Sequence, residues 1–159
     1  MVDDARFEDG GEKPLRLRAE DAEDLQVISA LTQDAIFPIT EMKWEASRRR
    51  FSLLINRFRW EDKAKAELRG RAVERVQSVL AFDDVLKVSS QGVDRAQNDM
   101  VLSLLAVAFD PGEEGAGRVT LTLAGDGAIA LEVETVSTTL QDVTRPYIAP
   151  SGKAPDHGP

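Results

Sequence analysis

The chain has 159 residues, a formal net charge of −8, 42% hydrophobic residues and 30% charged residues. This is an ordinary globular balance at a length that fits one domain of about 100–200 residues. It contains no cysteine, which excludes disulfides, thiolate metal sites and cysteine nucleophiles. The acidic start Met1-Val2-Asp3-Asp4 is followed by no apolar run, so no secretory signal is read there. The longest nearly apolar run, Met100 to Phe109, is far short of the ~20 residues of a membrane helix. A soluble, cytoplasmic protein without membrane attachment is expected.

Residues 1–13 and 149–159 are poor in large apolar side chains and read as disordered tails around a single domain, 14–148. Leu15-Arg16-Leu17 alternates like a short strand. Asp21 is a candidate N-cap, and Glu23 and Asp24 suit the positive first turn of a helix. Leu25, Ile28, Leu31 and Ala35 form its buried stripe, and Pro38 ends it. The period then becomes two. Met42 and Trp44 share a face, as do Phe51, Leu53 and Ile55, so a hairpin turning at Ala46–Arg49 pairs Trp44 with Phe51 and Met42 with Leu53. Phe37 and Ile39 have the opposite parity, which a bulge near Thr40-Glu41 reconciles.

Glu61 to Gly70 is charged and helix-permissive, a loop or one helical turn. Residues 72–89 read as two strands broken at Asp83-Asp84, and Met100 to Phe109 as a strand before the turn Asp110-Pro111-Gly112. In the last hairpin, a three-residue loop, Gly125-Asp126-Gly127, pairs Leu123 with Ile129 and Leu121 with Leu131, with Gly127 left-handed. Ser137 to Val143 is read as a short closing helix. The expected fold is α+β: a mainly antiparallel sheet bent into a roll or barrel, with an N-terminal helix and a short C-terminal helix. The count resembles a pleckstrin-homology-like barrel, an analogy that carries no function.

The chemistry is sparse. The only histidine, His157, lies in the Pro/Gly tail, which lacks the fixed geometry of a catalytic base. Asp83-Asp84 would point to opposite faces of a strand, and reads as a turn. Gly112 to Gly117 is Gly-rich but lacks the Lys and Ser/Thr of a phosphate cradle, and its two glutamates would repel phosphate. No catalytic residue, metal ligand or cofactor is assigned.

Trp44 to Trp60 is the informative segment. From Lys43 to Arg75 there are 11 Lys/Arg against 5 Asp/Glu, while the rest of the chain carries 9 against 23. Arg48, Arg49, Arg50, Arg57 and Arg59 are interleaved with Trp44, Phe51, Phe58 and Trp60. Such a pattern can grip phosphates and stack on bases, or form a protein hot spot. It can also be core aromatics with arginines snorkelling outward.

The residues Met42-Lys43-Trp44, Arg49-Arg50-Phe51 and Asn56-Arg57-Phe58-Arg59-Trp60 resemble a family of uncharacterised alphaproteobacterial proteins, domain of unknown function 2948. The resemblance covers about Leu15 to Val143. It implies a bacterial cytoplasmic protein and brings no catalytic residue, cofactor or substrate. The expected function is a non-catalytic binding or adaptor domain for an acidic protein partner. Its expected binding residues are Arg48, Arg49, Arg50, Arg57, Arg59 and Trp60. The alternative is a small enzyme or binder acting on a phosphorylated metabolite or RNA.

Overall fold

The computed structural model describes residues 13–94 and 96–148. The tails expected at 1–13 and 149–159 fall, apart from Lys13, outside the described residues. A short strand, β1 (Arg16–Ala19), leads into helix α1 (Ala22–Leu31). Asp21 caps α1 by accepting from the Asp24 amide at 2.8 Å, satisfying one of the amides that a helix start leaves unpaired. Then come β2 (Ile36–Pro38), β3 (Met42–Glu45), β4 (Arg50–Phe58), helix α2 (Lys63–Leu68), β5 (Glu74–Phe82) and β6 (Val85–Gln91). The second half is β7 (Val101–Pro111), β8 (Gly117–Leu123), β9 (Ala128–Val133), β10 (Thr138–Asp142) and β11 (Tyr147–Ile148).

Every strand pair is antiparallel, in the order β1-β10-β5-β4-β2-β7-β8-β9-β6; β3 adds to β4, and β11 to β5. The path is open, ending at β1 and β6. Trp44 lies opposite Phe51 and Met42 opposite Leu53. The bulge between β2 and β3 is a 3-10 turn, Ile39–Glu41. The core rows run across strands: Met42, Leu53, Leu80, Leu140 and Leu17 form one, and Trp44, Phe51, Phe82, Thr138 and Ala19 the next. Phe37, Leu104, Val119, Leu121, Ile129 and Leu131 close over them from the other half, and Leu25 and Ile28 of α1 join the same core. Among the described residues, no helix is long and apolar enough to cross a membrane.

Three expectations are corrected. The segment read as a closing helix is strand β10, inserted between β1 and β5. Its buried residues alternate, Thr138, Leu140 and Asp142, and its β-branched threonines suit that pleated setting. With a strand there and an open sheet path, the described residues supply neither the C-terminal capping helix nor the closed barrel of the pleckstrin-homology analogy. The last hairpin is shifted: Leu121 faces Ile129 and Val119 faces Leu131. The Leu123 amide donates to the Gly127 carbonyl at 2.9 Å, so the loop is Ala124-Gly125-Asp126. Its third residue is left-handed as that loop type requires, but that residue is Asp126, at φ 67°; Asp visits this region more readily than most residues. Gly127 is not left-handed.

Candidate functional site

The five arginines split into two environments. β4 alternates inward and outward, and Phe51, Leu53, Ile55 and Arg57 share the inward parity. Arg57 is therefore at 0% exposure, at the point where the core face turns from apolar to ionic. Its Nη1 and Nη2 each donate to Glu61 at 2.9 Å. Nη2 reaches both Asp142 oxygens at 3.0 and 3.2 Å, and Nε reaches Ser78 Oγ at 3.1 Å. Ser78 Oγ donates to Asp142 at 2.7 Å, and the Leu15 amide donates to its other oxygen at 2.9 Å. Burial works to lower the Arg57 pKa, and the bonds and charges of Glu61 and Asp142 outweigh it, holding the guanidinium above its ordinary value.

Arg59 is also buried. It donates to Glu74 at 2.6 Å and lies 3.4 Å from Asp62, which Arg71 also holds at 2.8 Å. Arg57 and Arg59, expected on a binding surface, are thus buried cations set among carboxylates, with Arg59 Nε left without a hydrogen-bond partner. Trp60 is half-buried in a separate cluster with Phe58, Ala66 and Val73, and its indole N–H donates to the Gln33 carbonyl at 2.9 Å. Its role there is to seat the α2 region, and it lies in a different cluster from Trp44.

Arg48, Arg49 and Arg50 follow β3. Arg50 forks onto Asp83 at 2.8 and 3.2 Å, the hydrogen bond that chiefly raises its pKa. Arg48 and Arg49 are exposed, Arg48 beside Glu45 at 3.3 Å and Arg49 paired with Glu134. Arg49 adopts a left-handed φ of 52°, uncommon for a long side chain. Its carbonyl accepts the Val85 amide at 2.9 Å, tying the start of β6 to the start of β4.

Beyond that tie the two halves of the sheet part. β3 pairs only with β4, and β6 only with β9; no ladder joins them among the described residues. A cavity of about 90 Å³ opens between them, lined by Met42 and Trp44 from β3, Val88, Ser89 and Ser90 from β6, and Phe51 and Ile129. Met42 and Trp44 have core parity yet are only partly covered. Ser90 lies opposite buried Ile129, so it also faces the core side, yet it is exposed. A serine with core parity that remains exposed marks a place where the sheet does not close over the core. The β6 bulge at Val85/Lys87 and Lys87 itself blunt the first part of this edge. The rest, Val88 to Gln91, lacks such a device. Near the pinned end, Arg48 and Lys43 lie beside Glu45 and Arg49 pairs with Glu134, while Lys87 lies opposite Glu132 on β9.

The sequence signals were present for part of this. Arg57 continues the parity of Phe51, Leu53 and Ile55, which points it inward. Ser90 shares the parity of Val88, which places a polar residue on a core face. Neither pattern reveals that β3 and β6 stay apart, because that depends on strands distant in sequence.

No curated protein and no solved structure matches the chain. The match that does cover it is to a family-wide profile, over residues 15–157 and so across all of the strands and helices above: the chain belongs to the family described as "Protein of unknown function (DUF2948)".

Proposed function

We propose that the protein is a non-catalytic binding domain that takes up an acidic segment of a partner protein as an added strand at the seam between β3 and β6. The observation that carries this reading is that two strands with free edges flank an open part of the core, near the exposed Arg48 and Arg49. An extended segment laid on a free edge gains main-chain hydrogen bonds, while alternate side chains enter pockets and give specificity. The exposed Arg48 and Arg49 steer an acidic segment toward the opening, although the chain as a whole carries −8. The reading retains Arg48 and Arg49 as binding residues and adds Trp44. Arg50, Arg57, Arg59 and Trp60 support the scaffold. The alternative, a phosphorylated metabolite or RNA, has less to draw on, because Arg57 and Arg59 are occupied by carboxylates.

The test is selection from a displayed library of random peptides by the full chain. Acid-rich peptides should be enriched at low salt. Binding should fall in Arg48→Glu/Arg49→Glu protein and in high salt, where exposed charges are screened within a few ångströms. Failure to enrich acid-rich peptides, or capture that survives charge reversal, would contradict the reading.

A further inference from the structure

We propose that the outer face of strands β6 to β9 is a self-association surface, on which two copies of the chain meet face to face about a two-fold axis parallel to the strands. This face is separate from the seam and does not depend on what the seam binds. Val119, Leu121, Ile129 and Leu131 point into the core, so their neighbours along β8 and β9 point outward. Cross-strand register sorts the outward residues into rows. One row is charged and alternates in sign across the four strands: Lys87, Glu132, Arg118, Asp110. The next is small: Ser89, Ala130, Thr120, Ala108. The third is Gln91, Ala128, Thr122 and Ala106. None of these side chains is buried.

The charged row is its own complement. An axis running along the strands between β8 and β9 lays β9 of one copy over β8 of the other, and β6 over β7. Glu132 then faces the partner's Arg118, and Lys87 the partner's Asp110, so every charged contact across the axis joins opposite signs. These charges have capacity to spare. Arg118 donates to Glu132 through Nε at 2.7 Å, and its terminal nitrogens enter no other ion pair among the described residues. Lys87 and Asp110 enter none. The same axis lays Ala130 over the partner's Thr120 and Ser89 over the partner's Ala108, so no large side chain holds the sheets apart there. A two-fold axis across the strands would instead carry the charged row onto Ala128 and Thr122, desolvating charges without partners. A row of alternating sign also has little net field with which to attract a ligand of one charge, which favours a second copy over an acidic or basic partner. Four strands about 4.8 Å apart and three rows about 6.8 Å apart cover roughly 400 Å². Twice that is about 800 Å², below the ~1,200 Å² at which stable interfaces begin, so the dimer is weak and reversible.

Sedimentation of the full chain over the micromolar to millimolar range tests this. The parent should move from monomer toward dimer as its concentration rises, and less so in high salt. Arg118→Glu and Glu132→Arg each set like charges against one another across the axis, and each variant should stay monomeric over the range. An equimolar mixture of the two should dimerise, because each substituted position then meets the opposite charge on the other copy. The substitutions change the formal charge of −8 by −2 and +2, so both variants remain acidic and bulk attraction does not account for the recovery. Ala130→Tyr leaves the Arg118–Glu132 pair in place and suits a strand, while filling the space over the partner's Thr120. It should reduce dimerisation with an unchanged circular dichroism melt. A parent that stays monomeric throughout, single variants or Ala130→Tyr protein that dimerise as the parent does, or a mixture no more associated than its components would overturn the proposal.

Discussion

At the scale of single residues, burial and backbone conformation decide what each arginine and glycine does. Arg57 is enclosed with Asp142, Ser78 and Glu61. Truncating one partner of a buried ion pair leaves the other charge without compensation, at about 3–5 kcal/mol. Arg57→Ala should lose that much in denaturant unfolding, and a loss under about 1 kcal/mol would mean that Asp142 is relieved by solvent. The last hairpin gives a sharper contrast. Gly125 is left-handed at φ 77° in open space, whereas a methyl on Gly127 would meet only ordinary contacts at 3.5 Å. Gly125→Val should cost about 1–2 kcal/mol, and Gly127→Ala should stay within about ±0.5 kcal/mol. The reverse order would show that the loop is Gly125–Gly127. Arg49, left-handed at φ 52°, should tolerate Arg49→Gly with no loss of melting temperature while losing capture of acidic peptides.

At the scale of elements, the division of labour along Trp44 to Trp60 is testable. Trp60 packs on Phe58 with ring centroids 5.4 Å apart, and belongs to the α2 cluster. Full burial of such a side chain would be worth about 3–5 kcal/mol against alanine, so half-buried Trp60→Ala should cost about 1.5–2.5 kcal/mol and leave peptide capture unchanged. Trp44→Ala should weaken capture. If Trp60→Ala abolished capture while the fold held, the site would lie at α2 instead. The β3–β4 hairpin was legible in the sequence because its aromatic and aliphatic residues alternate strictly, and parity fixes which residues can face each other. Strand β10 was not. Leu140 and Val143 are spaced for a helix, and only the partners β1 and β5, which flank the segment in the sheet but precede it by more than fifty residues in sequence, convert it to a strand.

At the scale of the whole molecule, charge asymmetry was visible in the sequence, but its meaning depended on the fold. Three of the eleven basic residues between Lys43 and Arg75 are spent inside the domain: Arg57, Arg59 and Arg71 face Glu61, Asp62, Glu74 and Asp142. What remains outward near the opening is the group around Arg48 and Arg49. The open sheet path leaves β3 and β6 apart although both belong to one core, and a sequence read strand by strand does not show which edges fail to meet. The most direct measurement of the seam reading is amide hydrogen exchange of the full chain with and without a selected acidic peptide. New protection should appear on β6, between Val88 and Gln91, and on β3, between Met42 and Glu45, while β11 and the outer face of β5 stay unchanged. Protection confined to β11 and β5, or none on β3 and β6 at saturating peptide, would contradict it.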